Sequence, residues 1–95
     1  TPPGRESNDH LFALLLPEAA RRDAFLAFLK SRGVMATFHY VPLHSSPYWQ
    51  RYAGETPSLP VTDRAAAPLV RLPLHPRLSG EDLDRVVAAG EEAPV

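Results

Sequence analysis

The segment HLFALLLPEAARRDAFLAFLKSRGVMATFHYV, residues 10–41, decides the fold, because its pattern changes from strand to helix and back to strand. Residues 10–17 form a nearly continuous apolar run, which predicts a strand buried on both faces. Residues 18–31 are strong helix formers without an internal breaker. Residues 34–41 alternate between two faces with the period of a second strand. A strand, a helix and a strand in this order predict an α/β layer.

One face of the predicted helix is apolar. Phe25, Phe28 and Leu29 are spaced at i, i+3 and i+4, so they lie together and predict the packing face. Gly33 stands just past the helix, where a left-handed residue commonly ends one. In the following strand the even-numbered residues, beginning with Val34, are expected to share one face.

The rest of the chain continues the mixture of short helices and strands. A loop over 42–60, with at most a helical turn near 47–52, is followed by a helix over 61–68 that Thr62 or Asp63 could cap. A strand is predicted over 69–74, and Pro73 places it at a sheet edge or a strand end. The last element is a helix over 79–92, in which Ser79 and Asp82 make a capping-box pattern. These elements predict one small sheet with helices beside it.

Composition limits the class of protein. With 95 residues the chain is long enough for one small domain, and a net charge of −1 argues against a nucleic-acid-binding arm. Its longest apolar runs are too short to cross a membrane, and the absence of cysteine fits a cytoplasmic protein. The sequence predicts a linker over residues 1–9, the domain over residues 10–90 and a frayed tail over residues 91–95. Because the chain opens on Thr1 without a signal peptide, we expect it to be a piece of a longer polypeptide.

Residues 38–52, FHYVPLHSSPYWQRY, gather aromatic rings and histidines at the end of the second predicted strand. Their packing in a core is one interpretation, since buried rings are common. The other is recognition of a sugar or another polyol by the polar tips of His39, Tyr40 and His44. A metal site is not predicted, because Pro42 prevents the helix that would join the two histidines and no acid or cysteine lies nearby.

Lys30 is the only lysine of the chain, and a lysine can form a Schiff base. Its place at the polar end of an amphipathic helix predicts a solvated side chain, whereas Schiff-base lysines need a desolvated site. No glycine-rich phosphate loop and no nucleophile elbow are present in the sequence. The residues alone therefore predict no catalytic group.

Two longer stretches, GVMATFHYVPLHSSPYWQRY at 33–52 and RLPLHPRLSGEDLDRVV at 71–87, resemble the C-terminal region of the DegT/DnrJ/StrS family of sugar aminotransferases. The resemblance extends along nearly all of residues 10–90. It implies an α/β (α+β) fold, the small C-terminal domain of a fold-type-I aminotransferase. Such a domain has a few-stranded, mainly antiparallel sheet with helices packed on one side.

The resemblance also implies a function for the parent enzyme and a role for this piece. The parent would bind pyridoxal 5'-phosphate in a large domain outside these residues, work as a homodimer and move an amino group from L-glutamate to a nucleotide sugar. The stretch FHYVPLHSSP looks closest to the transaminases that aminate dTDP-4-keto-6-deoxyglucose. In this reading Tyr40 contacts the sugar, and His39 and His44 are further substrate contacts.

Two departures from the family pattern bear on this interpretation. Pro68 shortens a helix that relatives usually continue, and the Tyr48–Trp49 step is bulkier than the matching step of those transaminases. An alternative remains, in which the aromatic loop belongs to a non-catalytic domain and docks on a partner protein, since interfaces also favour tyrosine and tryptophan.

Overall fold

In a computed structural model, which describes residues 1–94, the chain forms a three-stranded sheet with helices around it. Short 3-10 turns occupy Ala19–Arg21 and Leu43–Ser45. The strands and α-helices are β1 (Phe12–Leu15), α1 (Arg22–Ser31), β2 (Thr37–Phe38), α2 (Pro47–Ala53), α3 (Pro60–Ala66), β3 (Leu69–Leu72) and α4 (Gly80–Glu92).

The last strand in the sequence lies in the middle of the sheet. The strand order is β1-β3-β2, and β3 runs antiparallel to both neighbours. Val70 is aligned with Leu14 on one side and with Phe38 on the other. The predicted few-stranded antiparallel sheet is therefore confirmed. β3 ends at Leu72, so Pro73 marks a strand end, where its missing N–H costs no ladder hydrogen bond.

The core lies on one face of this sheet. Phe25 and Leu29 of α1 and Val86 and Ala89 of α4 belong to one buried cluster with Val70 at its centre. The spacing of the α1 residues explains why this helix packs as predicted, with Phe28 at the margin of the cluster. Both helices thus cover the same face, as the sequence predicted.

The prediction that β1 is buried on both faces is wrong. Phe12 is 55% exposed and Leu15 is 64% exposed, whereas Leu14 is half-buried and Leu16 is in the core. Leu15 is exposed because successive side chains of a strand point to opposite faces and helices cover only one face here. Phe12 lies on the covered face, but at its margin beside Val87 of α4. An apolar run of this kind indicates burial on both faces only where both faces have a covering layer.

Two predictions about the segment between β2 and β3 also need correction. Helix α2 runs for seven residues, longer than the single turn expected, because Pro47 opens it and the Ser46 hydroxyl accepts a hydrogen bond from the backbone N–H of Trp49 at 3.2 Å. Helix α3 begins at Pro60 and has no side-chain cap, so neither Thr62 nor Asp63 caps it. The helix does end before Pro68, as predicted.

The predicted capping box of α4 is confirmed. The Ser79 hydroxyl accepts from the Asp82 backbone N–H at 3.0 Å, and the Asp82 carboxylate accepts from the Ser79 backbone N–H at 3.2 Å. The backbone N–H of Ser79, followed by its hydroxyl, lowers the pKa of Asp82 below its usual value. The carboxylate therefore supports α4 above its unfolded pKa, and this support is lost as the pH falls through the lowered folded value.

Alanine substitution at two glycines should change the free energy of unfolding in opposite directions. Gly33 has a φ of +77°, which a residue with a Cβ adopts with strain, so Gly33→Ala should lower the free energy of unfolding by about 1 kcal/mol. Gly90 lies inside α4 with free space around a built Cβ, so Gly90→Ala should raise it by about 0.5–1 kcal/mol. Urea unfolding of both variants measures these changes. A lower free energy of unfolding for Gly90→Ala would contradict the unobstructed helical position of Gly90.

Among the residues that the structure describes, no helix combines the length and the apolar character needed to cross a membrane.

Candidate functional site

A cleft of about 410 Å³, here called the Tyr40 cleft, opens where β2 ends. Tyr40 and Phe38 line it from the strand end, Arg22 from the start of α1, Ser45 from the 3-10 turn and Asp63 from α3. The cleft therefore combines a phenol, a hydroxyl, a guanidinium and a carboxylate beside an apolar floor. Such a mixture can orient a polar ligand through a few directed hydrogen bonds.

Tyr40 is the most accessible of the predicted site residues. The residue is 76% exposed. The Arg71 guanidinium lies 5.8 Å from the centre of the ring, and the His39 ring meets it edge-on with 5.1 Å between centroids. These neighbours fix one edge of the ring and leave the hydroxyl available to a ligand.

His39 is half-buried beside Tyr40. Its Nδ1 atom is fully buried and finds no hydrogen-bond partner in the part of the chain that the structure describes. A buried polar atom without a partner is costly, of the order of 1–3 kcal/mol. His39 is therefore a position at which an added ligand or polypeptide could supply a missing contact.

His44 occupies a different environment, since it is only 7% exposed. Its Nε2 lies 2.8 Å from Oδ1 of Asp63, whose own side chain is half-exposed. This bond joins the turn after Tyr40 to helix α3 and so holds one wall of the Tyr40 cleft in place. The structure brings Tyr40 and His39 into ring contact, whereas His44 is buried and does not line the Tyr40 cleft.

Asp63 is a site residue that sequence reasoning missed. The sequence suggested a helix cap for it, which is a local role, but its partner is 19 positions away in the chain. No spacing rule connects a histidine in a proline-rich loop with an aspartate in the next helix. Only the packing of α3 against the turn Leu43–Ser45 brings them together.

A second, apolar cleft of about 370 Å³ is lined in part by His44. Leu43, Trp49 and Leu59 line it, and the Trp49 indole N–H is occupied by the Glu55 carbonyl at 2.7 Å. The aromatic stretch thus divides into two groups. Tyr40 faces the polar cleft, whereas Trp49 packs in the apolar one.

Neither a metal nor an aldimine fits the described residues. Within residues 1–94 no group of three or more histidine, cysteine, aspartate or glutamate side chains lies close enough to hold a metal ion. Lys30 is exposed in the last turn of α1 and does not line the Tyr40 cleft. A Schiff-base lysine needs a desolvated pocket, so this lysine does not suit that role.

The arrangement of the sheet and its helices is similar to part of an aminotransferase of known structure. The fold matches the crystal structure of the aminotransferase TlmJ from Streptoalloteichus hindustanus with a TM-score of 0.79 and 36% sequence identity, over 93% of this chain and 23% of that chain. Residues 1–90 also match the model of the DegT/DnrJ/EryC1/StrS aminotransferase family. The chain belongs to this family, and it spans about a quarter of the length of TlmJ.

Proposed function

We propose that this chain is the C-terminal part of a pyridoxal-phosphate-dependent aminotransferase that moves an amino group from L-glutamate to a 4-keto-6-deoxy sugar nucleotide. Its role in that enzyme is to form one wall of the nucleotide-sugar pocket. The observation that carries this proposal is the exposed hydroxyl of Tyr40 at a polar cleft in a chain of the aminotransferase family. Residues 10–90 would form the domain, with 1–9 as a linker and 91–95 as a tail.

The chemistry of the Tyr40 cleft suits an uncharged polyol with an anionic extension. The hydroxyls of Tyr40 and Ser45 can donate to or accept from sugar hydroxyls. Arg22 adds positive charge at the edge of the cleft, held over the Phe38 ring at 5.4 Å. Groups of this kind orient a substrate and need not move protons themselves.

The cofactor would bind outside these residues. Lys30 is exposed and remote from the cleft, so the lysine that holds pyridoxal 5'-phosphate must belong to the remainder of the enzyme. The residues described here would then line the substrate pocket and form hydrogen bonds with the substrate. We also propose that the parent enzyme is a cytoplasmic homodimer that binds neither nucleic acid nor membrane.

The test is an amino-transfer assay with the full-length protein. Purified protein with pyridoxal 5'-phosphate, L-glutamate and dTDP-4-keto-6-deoxyglucose should give an aminated nucleotide sugar, detected by mass spectrometry. Omitting L-glutamate should abolish the product. Absence of transfer to this sugar and to other keto-sugar nucleotides would overturn the proposed function.

The same assay tests the role of Tyr40. Tyr40→Phe removes one polar contact and should lower kcat/KM for the sugar nucleotide by about 5- to 30-fold, equivalent to about 1–2 kcal/mol. Tyr52→Phe is the matched control, because Tyr52 is also exposed but does not line the Tyr40 cleft. Equal values of kcat/KM for the two variants would show that the Tyr40 hydroxyl does not contact the substrate.

A second candidate is a non-catalytic domain that docks through its aromatic loop. The exposed side chains of Leu43, Tyr48 and Tyr52 favour it, since such residues are enriched at interfaces. The upstream sequence separates the two proposals. A Schiff-base lysine there supports the enzyme, and its absence supports the docking domain.

A further inference from the structure

Arg22 is the guanidinium that lines the Tyr40 cleft. It is the first residue of α1, and its side chain is only 27% exposed although it carries a full charge. Its guanidinium carbon lies 5.4 Å from the centre of the Phe38 ring, which lines the same cleft. A guanidinium is weakly hydrated and stacks well on aromatic rings. The Arg22 side chain is therefore restrained beside the cleft before any ligand arrives.

The ion pair that Arg22 makes within the chain is weak. Its Nε lies 3.4 Å from Oδ1 of Asp23, the next residue, and the Asp23 side chain is 87% exposed. Such a pair contributes little free energy, because water competes for the exposed carboxylate. The contact is made by Nε, so it does not occupy the two Nη nitrogens. Their N–H groups can bind two oxygens of one oxyanion.

The cleft also contains a negative charge, which limits where an anion can bind. Asp63 lines the cleft, and its carboxylate would repel an anion placed beside it. On the Tyr40 side the charge is positive, since the Arg71 guanidinium lies 5.8 Å from the centre of the Tyr40 ring. We therefore expect an anionic group beside Arg22 and Tyr40, and an uncharged group beside Asp63.

We propose that Arg22 binds the diphosphate of the nucleotide sugar through its two Nη nitrogens and so makes the enzyme selective for nucleotide-linked sugars. This inference rests on the proposed function, in which the Tyr40 cleft is one wall of the nucleotide-sugar pocket. A nucleotide sugar joins an uncharged ring directly to a diphosphate. The hydroxyl of Tyr40 and the guanidinium of Arg22, which line one cleft, match these two parts.

L-Glutamate is the other anion of the proposed reaction, and its carboxylates offer acceptors of the same kind. It has no sugar hydroxyls to exchange hydrogen bonds with Tyr40 and Ser45, which line the cleft together with Arg22. The nucleotide sugar is the ligand that uses the hydroxyls of the cleft as well as its cation. The diphosphate is for this reason the assigned occupant.

Binding of dTDP to the full-length holoenzyme, measured by titration calorimetry, tests the contact without amino transfer. Arg22→Gln removes the charge and should weaken dTDP binding by about 10- to 100-fold, the range for one charge-assisted contact. Arg21→Gln is the matched control, because Arg21 is exposed, pairs with Glu18 and does not line the cleft. Both substitutions remove one positive charge, so the difference between them measures the local contact. Equal affinities of the two variants for dTDP would overturn the proposal, as would an unsubstituted holoenzyme that does not bind dTDP.

A second variant keeps the test decisive if Arg22→Gln does not fold. Arg22→Lys retains a positive charge beside Phe38 but lacks the planar fork of donors. It should bind dTDP more weakly than the unsubstituted enzyme does. Urea unfolding of each variant shows whether a loss of binding reflects a loss of folding. Undiminished dTDP binding by Arg22→Lys would overturn the two-point contact.

Steady-state kinetics of the same proteins separates the two anions. Arg22→Gln should lower kcat/KM for the nucleotide sugar and leave kcat/KM for L-glutamate equal to that of Arg21→Gln. A decrease confined to L-glutamate would overturn the diphosphate as the occupant.

The two measurements together separate this inference from the proposed function. Loss of dTDP binding on Arg22→Gln substitution, in a holoenzyme that transfers no amino group, would reject the proposed function and keep the contact. An active enzyme in which Arg22→Gln and Arg21→Gln behave alike would reject the contact alone.

Discussion

Phe25→Ala should lower the free energy of unfolding by about 3–5 kcal/mol, the range for removing a phenylalanine ring from a packed core. Phe25 is 2% exposed and lies in the cluster that joins α1 and α4 to Val70. Because the Phe25 ring is enclosed in this apolar cluster, its removal leaves a cavity between the helices and the sheet. Urea unfolding of the 95-residue chain, followed by circular dichroism, measures the change.

Phe12→Ala is the control for this prediction. The same atoms are removed, but Phe12 is more than half exposed at the start of β1, so the expected cost is about 1 kcal/mol. The free energy of unfolding of the unsubstituted chain could be smaller than the loss caused by Phe25→Ala. In that case the Phe25 variant will be unfolded without urea, while the Phe12 variant keeps its helical signal. Equal costs at both positions would contradict the placement of Phe25 inside the core and of Phe12 at its margin.

The second large effect is expected at Asp63. Asp63→Ala removes the partner of a buried imidazole and should cost about 1–3 kcal/mol, the penalty for leaving a buried polar group unpaired. Because His44 holds the turn that follows Tyr40, the KM for the sugar nucleotide should rise together with the loss of stability. Urea unfolding gives the first quantity, and the amino-transfer assay of the full-length protein gives the second.

Asp63→Asn distinguishes the hydrogen bond from the bulk of the side chain. The amide keeps an oxygen that can accept from Nε2 of His44, so this variant should recover most of the loss in both measurements. A double-mutant cycle with His44→Phe isolates the pairwise term. Additive effects of the two substitutions would show that the 2.8 Å contact contributes nothing to stability.

Local patterns in the sequence predicted the elements that depend on neighbouring residues. The face of α1 that contains Phe25 and Leu29 follows from helical spacing, and the start of α4 follows from Ser79 and Asp82. Each of these features is decided within one or two turns of chain. They could therefore be predicted without knowledge of the tertiary structure.

Features that depend on distant residues could not be predicted in the same way. The central position of β3 and the exposure of Leu15 both depend on which layers cover the sheet. The bond between His44 and Asp63 depends on how α3 returns to the loop after β2. The role of Tyr40 at the substrate stays a prediction from its polar tip and from family resemblance, and its side chain is exposed in the structure.

The position of β3 between two earlier strands has a consequence for synthesis on the ribosome. Phe12 pairs with Leu72 and Thr37 with Arg71, so neither outer strand has a hydrogen-bonding neighbour until β3 has left the exit tunnel. Such non-local pairing is slow to form and leaves apolar strand edges unprotected in the meantime. Nascent chains stalled before residue 69 should therefore recruit chaperones, whereas chains released after α4 should not.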